Sequence, residues 1–288
     1  MHYIEGTILK ILIIQLSILL FTTTAYAKVN ILVSIVPQAS FVKELGGDKV
    51  NVTLLVPVGT NPNLYEPKTS QMKKISNSNI YFTIGGHFEK AWLPRIKSQN
   101  KKMKIIDCSI DVKRISMKSN KNLNIHIHKK DVHVWTTPRN IEKIGTTIYN
   151  TLVRYDEKNE DYYTKNYKIF KEKIRKTDEK IKNILSNTKE NTKFMVFHPA
   201  WGYFANDYKL NQIAIEVEGK EPKLKELQRV LKKVKELNIK TILTQPEFSK
   251  KGAEVIAKEL NIDLVGISPL NPKWAENLIN LAKVISKN

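Results

Sequence analysis

The chain has 288 residues, of which 41% are apolar and 26% are charged, with a net charge of +20 and a single cysteine. This length allows one large or two medium domains, and the lone Cys108 excludes an internal disulfide, so a hydrophobic core must supply the stability. The basic residues are spread along the chain and do not cluster with aromatics. We therefore interpret the charge as a solvated surface and expect no nucleic-acid partner.

The first 27 residues have the pattern of a secretory signal peptide. An apolar run at residues 8–21 is followed by Ala25 and Ala27, the small residues expected at positions −3 and −1 of a cleavage site. The run is short and interrupted by polar residues, which argues against a membrane span. No cysteine follows it that could carry a lipid. We expect a soluble exported protein, cleaved after Ala27.

Strand and helix patterns alternate along the first part of the mature chain. Short apolar segments rich in β-branched residues predict strands at residues 29–36, 50–56, 79–84 and 103–107. Helices are predicted between them at residues 38–45, 70–77 and 88–96. This alternation predicts a parallel sheet covered on both faces. The loop at residues 57–63 follows the second strand, where such folds place binding groups.

Residues 111–130 show no clean periodicity and are rich in Lys and Asn, which predicts a surface loop. The loop carries His126 and His128 and leads directly into His133, so three histidines fall within eight residues. Imidazole is a leading zinc ligand, and this density favours a metal site. The alternative is a polar loop with incidental histidines.

A helix is predicted at residues 138–152, followed by a much longer one at residues 157–187. The longer segment contains no Gly or Pro, and its apolar residues recur at steps of three and four. About 30 residues at 1.5 Å each give roughly 45 Å, more than the width of a small domain. We predict that this helix lies across two domains and fixes their separation, the alternative being one arm of a helical hairpin or a coiled coil.

After the long helix the alternation resumes. The predicted strands are residues 192–197, 210–217, 240–244 and 264–267, and the predicted helices are residues 222–237, 252–260 and 275–285. His198 directly follows the first of these strands and precedes Pro199. That position is the carboxyl edge of a parallel sheet, where α/β folds bind ligands. His198 is thus a candidate ligand, or alternatively a histidine packed at a strand end.

The remaining chemistry-bearing residues do not form an enzyme motif. His87 follows two glycines, and we interpret it as a surface residue. The chain has no nucleophile elbow, no phosphate-binding glycine loop and no H-E-x-x-H motif. We predict no enzymatic activity.

Several short motifs together resemble those of the metal receptors of bacterial ABC importers, the zinc- and manganese-binding periplasmic proteins of the ZnuA and TroA type. The resemblance extends over the whole mature chain. The motifs lie at residues 37–41 (PQASF), 46–50 (GGDKV), 59–62 (GTNP), 65–67 (YEP), 88–92 (FEKAW), 133–135 (HVW), 198–204 (HPAWGYF), 245–249 (QPEFS) and 269–270 (PL), followed by Trp274.

The resemblance implies an α/β fold with two four-stranded parallel-sheet lobes joined by one long backbone helix. With the signal peptide at residues 1–27, we expect an N-terminal lobe at 28–137, connecting helices at 138–189 and a C-terminal lobe at 190–288. The family binds its metal in the cleft between lobes, so His133 and His198 would be ligands from opposite lobes. If both bind one zinc ion, their ring nitrogens must lie within roughly 4 Å of each other.

Two positions differ from the pattern that the resemblance implies. Asn63 stands where the family usually has His, and Ser268 where it often has Asp. An asparagine oxygen suits hard cations better than zinc. Asn63 would therefore bind weakly with water completing the shell, or His126 or His128 would enter the cleft, or the protein has changed its ligand.

We accordingly predict a monomeric periplasmic solute-binding protein that captures a divalent ion, Zn²⁺ or alternatively Mn²⁺, and delivers it to an inner-membrane ABC permease. Its metal ligands would be His133, His198 and Asn63. A second hypothesis is a degenerate receptor with weak or no metal binding, which serves as an exported adhesion or scaffold protein and contacts anionic surfaces through its positive charge.

Overall fold

The computed structural model of the protein describes residues 27–117, 130–216, 224–248 and 251–287. The predicted signal peptide up to residue 26 lies outside the described residues, as do the loop histidines His126 and His128.

Two parallel sheets of four strands each organise the chain. The first sheet has the order β2-β1-β3-β4 and contains β1 (Val29–Val33), β2 (Val50–Leu54), β3 (Ile80–Thr83) and β4 (Lys104–Asp107). The second has the order β6-β5-β7-β8 and contains β5 (Lys193–Val196), β6 (Asn211–Ala214), β7 (Thr241–Thr244) and β8 (Asp263–Gly266). The α/β fold with two parallel-sheet lobes is therefore confirmed.

Helices cover the sheets and connect them. The N-terminal lobe, built on the first sheet, carries α1 (Val36–Gly46), α2 (Thr69–Ser76) and α3 (His87–Gln99). The connection consists of α4 (Pro138–Tyr155) and α5 (Glu160–Ile184). The C-terminal lobe, built on the second sheet, carries α6 (Gly202–Asp207), α7 (Leu224–Glu236), α8 (Lys251–Leu260) and α9 (Trp274–Ile285).

The strand order determines where each lobe can bind a ligand. The chain leaves β1 toward β2 on one side and reaches β3 on the other, and the C-terminal lobe repeats this pattern around β5. A crevice opens at the carboxyl ends of the strands wherever the order reverses in this way. The loops after β1, β3, β5 and β7 therefore border the two crevices that face the interlobe cleft.

The long helix α5 joins the two lobes. It begins at Glu160 instead of residue 157 because a short 3₁₀ turn precedes it, and its 25 residues correspond to about 37 Å. Its buried side chains follow the predicted steps of three and four, and they are Tyr163, Phe170, Ile174, Thr177 and Ile181.

Helix α5 is also one arm of a helical hairpin, the arrangement that we considered as the alternative. It packs along α4, where Tyr149 and Tyr167 stack with ring centroids 4.3 Å apart. At the same time, Phe170 of α5 contacts both Phe41 of α1 and Trp274 of α9. The long helix therefore holds elements of both lobes together, and the two interpretations are compatible.

The lobes share one hydrophobic core. A single cluster of buried residues extends from Ile31 in β1 through Phe170 in α5 to Phe194 in β5 and Leu281 in α9. Smaller clusters cover the outer face of each sheet. Among the described residues, none of the helices combines the length and the apolar character needed to cross a bilayer.

Candidate metal centre

Two histidines from opposite lobes meet in the cleft. His133 precedes α4 and His198 follows β5, and their Nε2 atoms are 3.2 Å apart. The two rings are nearly perpendicular, with an interplanar angle of 81°. Two ligands of one tetrahedral zinc ion, each 2.0–2.1 Å from it, lie about 3.3 Å apart. The spacing of these nitrogens therefore suits a shared ion.

A buried carboxylate fixes the orientation of each imidazole. The Nδ1 atom of His133 lies 2.8 Å from Oδ1 of Asp131, and Nδ1 of His198 lies 2.9 Å from Oε2 of Glu216. An ionised carboxylate can only accept a hydrogen bond, so each Nδ1 carries the proton. When both rings are neutral, each Nε2 atom carries a lone pair that can bind a metal, which is the ligand form of histidine.

The two imidazoles and their buried carboxylates together favour the binding of a positive charge. Two unprotonated Nε2 atoms at 3.2 Å repel each other unless a cation lies between them, and the positive charge that relieves this repulsion is either a metal ion or a proton on one of the rings. Asp131 and Glu216 are 1% and 4% exposed, so two negative charges lie in a low-dielectric environment. A divalent cation bound by both Nε2 atoms would neutralise the two carboxylates and remove the lone-pair repulsion.

Burial keeps His198 in the neutral form. The ring is enclosed by protein, and the loss of solvation lowers its pKa, opposed by the hydrogen bond to Glu216. Phe248 lies flat on the imidazole, with ring centroids 4.0 Å apart and planes within 16° of parallel. The stacked Phe248 ring covers one face of the imidazole, so Nε2 and the edge remain available to a ligand.

The backbone of His198 is held by a side chain from the neighbouring strand β7. Gln245, directly after β7, accepts a hydrogen bond from the His198 amide at 3.1 Å and donates one to the His198 carbonyl at 3.0 Å. Gln245 is completely buried, and β5 pairs with β7 immediately before this point. The QPEFS motif therefore supports His198 twice, through Gln245 and through Phe248.

The partner of His133 is held by the opposite lobe. Gly202, in the HPAWGYF motif, approaches Asp131 so closely that a Cβ atom would lie 2.3 Å from Oδ2. Tyr203 donates a hydrogen bond to the Asp131 carbonyl at 3.2 Å. Gly202 and Tyr203, which follow His198 in the same motif, thus position the carboxylate that orients His133.

A direct hydrogen bond also closes the cleft beside the imidazoles. Nε1 of Trp135 donates to the carbonyl oxygen of Pro269 at 2.7 Å, across the lobe boundary. Trp135 stands edge-on to His133, with centroids 5.6 Å apart. The lobes are therefore joined at the site itself, in addition to the connection through α5.

The imidazole pair borders a cavity of about 40 Å³ between the lobes. This volume accommodates an ion with one to a few waters. The polar side chains of its lining are Ser34, Asn63, His87, Glu89, His133 and His198. Asn63 is solvent-exposed and lies on the loop after β2, so the structure brings all three predicted site residues to one cavity.

The ligand set is incomplete as it stands in the described part of the chain. There, no group of three or more His, Cys, Asp and Glu side chains is arranged to hold an ion. Ser268 donates its hydroxyl hydrogen to Glu247 and accepts a bond from the amide of Leu270 at 2.9 Å. The shell of an ion at the imidazole pair would therefore need an amide oxygen, water, or a side chain that turns inward.

Sequence reasoning missed the residues that orient the ligands. Glu216 offered a signal, because it is an acid at the end of an otherwise apolar strand segment. Asp131 offered a weaker one, two residues before His133. Gln245 and Phe248 carried no chemical signal of their own, because their roles depend on the pairing of β5 with β7. His87 is exposed as predicted, yet it also lines the cavity.

Comparisons with known proteins show which sequences and structures the chain is similar to. The family model described as "ZnuA: Zinc-uptake complex component A periplasmic" matches residues 31–287. Zinc-binding protein AdcA of Streptococcus pyogenes serotype M3 is 29% identical over 266 residues, covering 85% of this chain and 51% of AdcA. The chain thus spans about half the length of this relative.

Solved structures share the architecture over most of the chain. A crystal structure of ZnuA has a TM-score of 0.82 and 35% identity, covering 90% of this chain and 98% of that one. The laminin-binding adhesin Lmb of Streptococcus agalactiae, in a mutant structure, has a TM-score of 0.76 and 25% identity, covering 89% and 98%.

Proposed function

The chain belongs to the ZnuA family, and from this membership we propose that it is a receptor that captures a divalent metal ion in the interlobe cleft and delivers it to an ABC permease. The family consists of solute-binding receptors, and the chain is accordingly not an enzyme. The ion is a cargo, which is bound and released without chemical change.

The pair of Nε2 atoms that face each other across the cleft carries this proposal. Two imidazoles from different lobes, each held by its own buried carboxylate, face each other at 3.2 Å. Such carboxylate–histidine pairs fix the tautomer of metal ligands and increase their basicity. A binding site for an organic solute would instead need a larger volume than about 40 Å³.

Zinc is the cargo that the donors favour. Neutral imidazole suits Zn²⁺, whereas Mn²⁺ prefers carboxylate, carbonyl and water oxygens. His133 and His198 would each give one nitrogen to the ion. Asn63 would add a carbonyl oxygen or hold a bound water, and this harder donor leaves Mn²⁺ as the alternative cargo.

Location and partner follow from the same proposal. The protein would be exported by the signal peptide at residues 1–27, act as a monomer in the periplasm and dock on an inner-membrane permease. The description of the family model as periplasmic supports the compartment, and its description as a component of an uptake complex supports a transport partner. No feature of the site calls for nucleic acid.

The hypothesis of an exported adhesion or scaffold protein has less support. Its basis is the net charge of +20 and the likeness to the adhesin Lmb. Adhesion through surface charge would give no reason to bury Asp131 and Glu216 against two imidazoles in the cleft. Metal capture accounts for these four residues together.

Calorimetry on metal-stripped protein tests the proposal. Zn²⁺ should bind with a stoichiometry of one, and His133→Ala and His198→Ala should each abolish most of the heat. Lys209→Ala, which alters an exposed ion pair in the C-terminal lobe, is the control and should bind as the wild type does. The absence of heat with both Zn²⁺ and Mn²⁺ would refute a metal receptor.

A further inference from the structure

We propose that His87 is a third imidazole ligand of the captured ion, supplied by the N-terminal lobe at the mouth of the cavity. This inference rests on the proposed function and goes beyond it by naming a ligand that the sequence pattern assigned to the surface.

A zinc ion at the imidazole pair would need further donors. A protein-bound zinc ion generally has four ligands. His133 and His198 provide two nitrogens, and Asn63 provides at best a neutral oxygen, which is a poor zinc ligand. A site made only of these donors would hold zinc weakly, although two buried carboxylates are committed to orienting the pair.

His87 is placed to supply the missing nitrogen. It is the first residue of α3, directly after the loop that follows β3, and it lines the same cavity as the pair and Asn63. It is solvent-exposed, so its ring stands where an ion enters from solution. With His87 included, the cavity is bordered by three imidazoles, a common nitrogen set for Zn²⁺.

The backbone that carries His87 is fixed at the edge of the cavity. The carboxylate of Glu89 is buried and accepts hydrogen bonds from the amides of Ile84, Gly85 and Gly86 at 2.9, 2.6 and 3.3 Å. Gly85 has a φ of +78°, the left-handed conformation that permits this tight turn. Arg114 adds a bond to the Ile84 carbonyl at 3.1 Å.

Ligation would require the His87 side chain to rotate away from the contact that it makes in the described structure. In the described structure the ring lines the cavity without forming a group of three ligating side chains with His133 and His198. Because the backbone is held and the ring is exposed, we expect rotation about the side-chain torsions to exchange this contact for a bond from a ring nitrogen to the ion. Exposed rotamers interconvert within nanoseconds, so this step would not delay capture.

X-ray absorption at the zinc edge and competition titration with a chelator test this ligand. The wild type loaded with one equivalent of Zn²⁺ should show three imidazole ligands, and His87→Ala should show two. The Kd of His87→Ala for Zn²⁺ should rise by at least about 10- to 100-fold, because even the loss of a residue that only supports a ligand has an effect of this size. Lys90→Ala, an exposed change on the same helix, should leave both readouts at wild-type values.

Two results would overturn the inference. One is a wild-type imidazole count of two, and the other is a His87→Ala affinity within twofold of wild type. Either would leave the receptor function standing, provided that His198→Ala still abolishes zinc binding. Failure of the function itself would show differently, as an absence of zinc binding in the wild type.

Discussion

Replacement of Glu216 by Gln removes one negative charge from the centre while keeping the shape of the side chain. Glu216 is 4% exposed, and its two oxygens lie 3.0 and 2.9 Å from Nδ1 of His198. A glutamine can still accept this hydrogen bond through its carbonyl oxygen, so the tautomer of His198 is preserved when the amide is suitably oriented. The change therefore tests the charge of the carboxylate more than its geometry.

The expected size of the effect follows from the hydrogen bond that is weakened. A bond to a charged acceptor contributes about 1.5–3 kcal/mol and a neutral one about 0.5–1.5 kcal/mol. The midpoints of these ranges differ by about 1.2 kcal/mol, which corresponds to a nearly tenfold rise in Kd. Removal of a carboxylate that supports a metal-bound histidine typically costs about 10- to 100-fold in affinity. We predict that Glu216→Gln raises the Kd for Zn²⁺ by about 10- to 100-fold.

A competition titration with a chelator of known affinity measures this change. Glu190→Gln is the matched control, because Glu190 is an exposed carboxylate of the C-terminal lobe that pairs with Lys209 away from the cleft. The control should bind zinc as the wild type does. If Glu216→Gln also bound within twofold of wild type, the carboxylate would have no part in metal binding, and the argument from the paired imidazoles would fail.

Four further predictions follow from the same contacts. Gly202→Ala places a Cβ atom 2.3 Å from Oδ2 of Asp131. The free energy of unfolding should fall by about 1–3 kcal/mol, and zinc titration should show a weaker affinity. A variant unchanged in both would contradict the positioning of Asp131 by Gly202. Because ligation needs neutral imidazole and burial lowers the pKa of His198, zinc affinity should fall at pH values below about 6.5, and an affinity that stays constant down to about pH 4.5 would exclude histidine ligands. Because the pKa of His198 is lowered in the folded protein, the unfolded chain binds a proton more readily than the folded one. The metal-free protein should therefore lose stability as the pH falls below about 6.5, and denaturant titrations across this range should detect the loss. Trp135→Phe removes the bond to the Pro269 carbonyl, and chemical denaturation should show a loss of about 1 kcal/mol, whereas no loss would mean that the bond does not join the lobes in solution.

The fold was largely predictable because its signals are local. Strands such as β1 are buried on both faces, and this gives continuous apolar segments bounded by polar turns. Element ends were less predictable. The long helix begins at Glu160 because residues 157–159 form a 3₁₀ turn, and hydrophobic periodicity does not distinguish the two kinds of turn. The hairpin formed with α4 was also underestimated, since helices of 18 and 25 residues still pack along one another.

The site was predictable only in part, because much of it depends on contacts between distant residues. His133 and His198 stand at element ends that the resemblance identifies, and the structure places their nitrogens 3.2 Å apart. Glu216 and Gln245 act through pairing between strands, which a single sequence does not encode locally. The position of His87 at the cavity depends on the loop bound by Glu89, and a surface histidine in sequence gives no sign of this.

The most direct test is a crystal structure of the zinc-loaded protein with anomalous scattering recorded at the zinc edge. We predict a single strong peak in the cleft, about 2.0–2.1 Å from Nε2 of both His133 and His198, with both Nδ1 atoms still bonded to their carboxylates. A zinc ion bound elsewhere, or bound to only one of these rings, would contradict the assignment of the imidazole pair as the centre of a metal receptor.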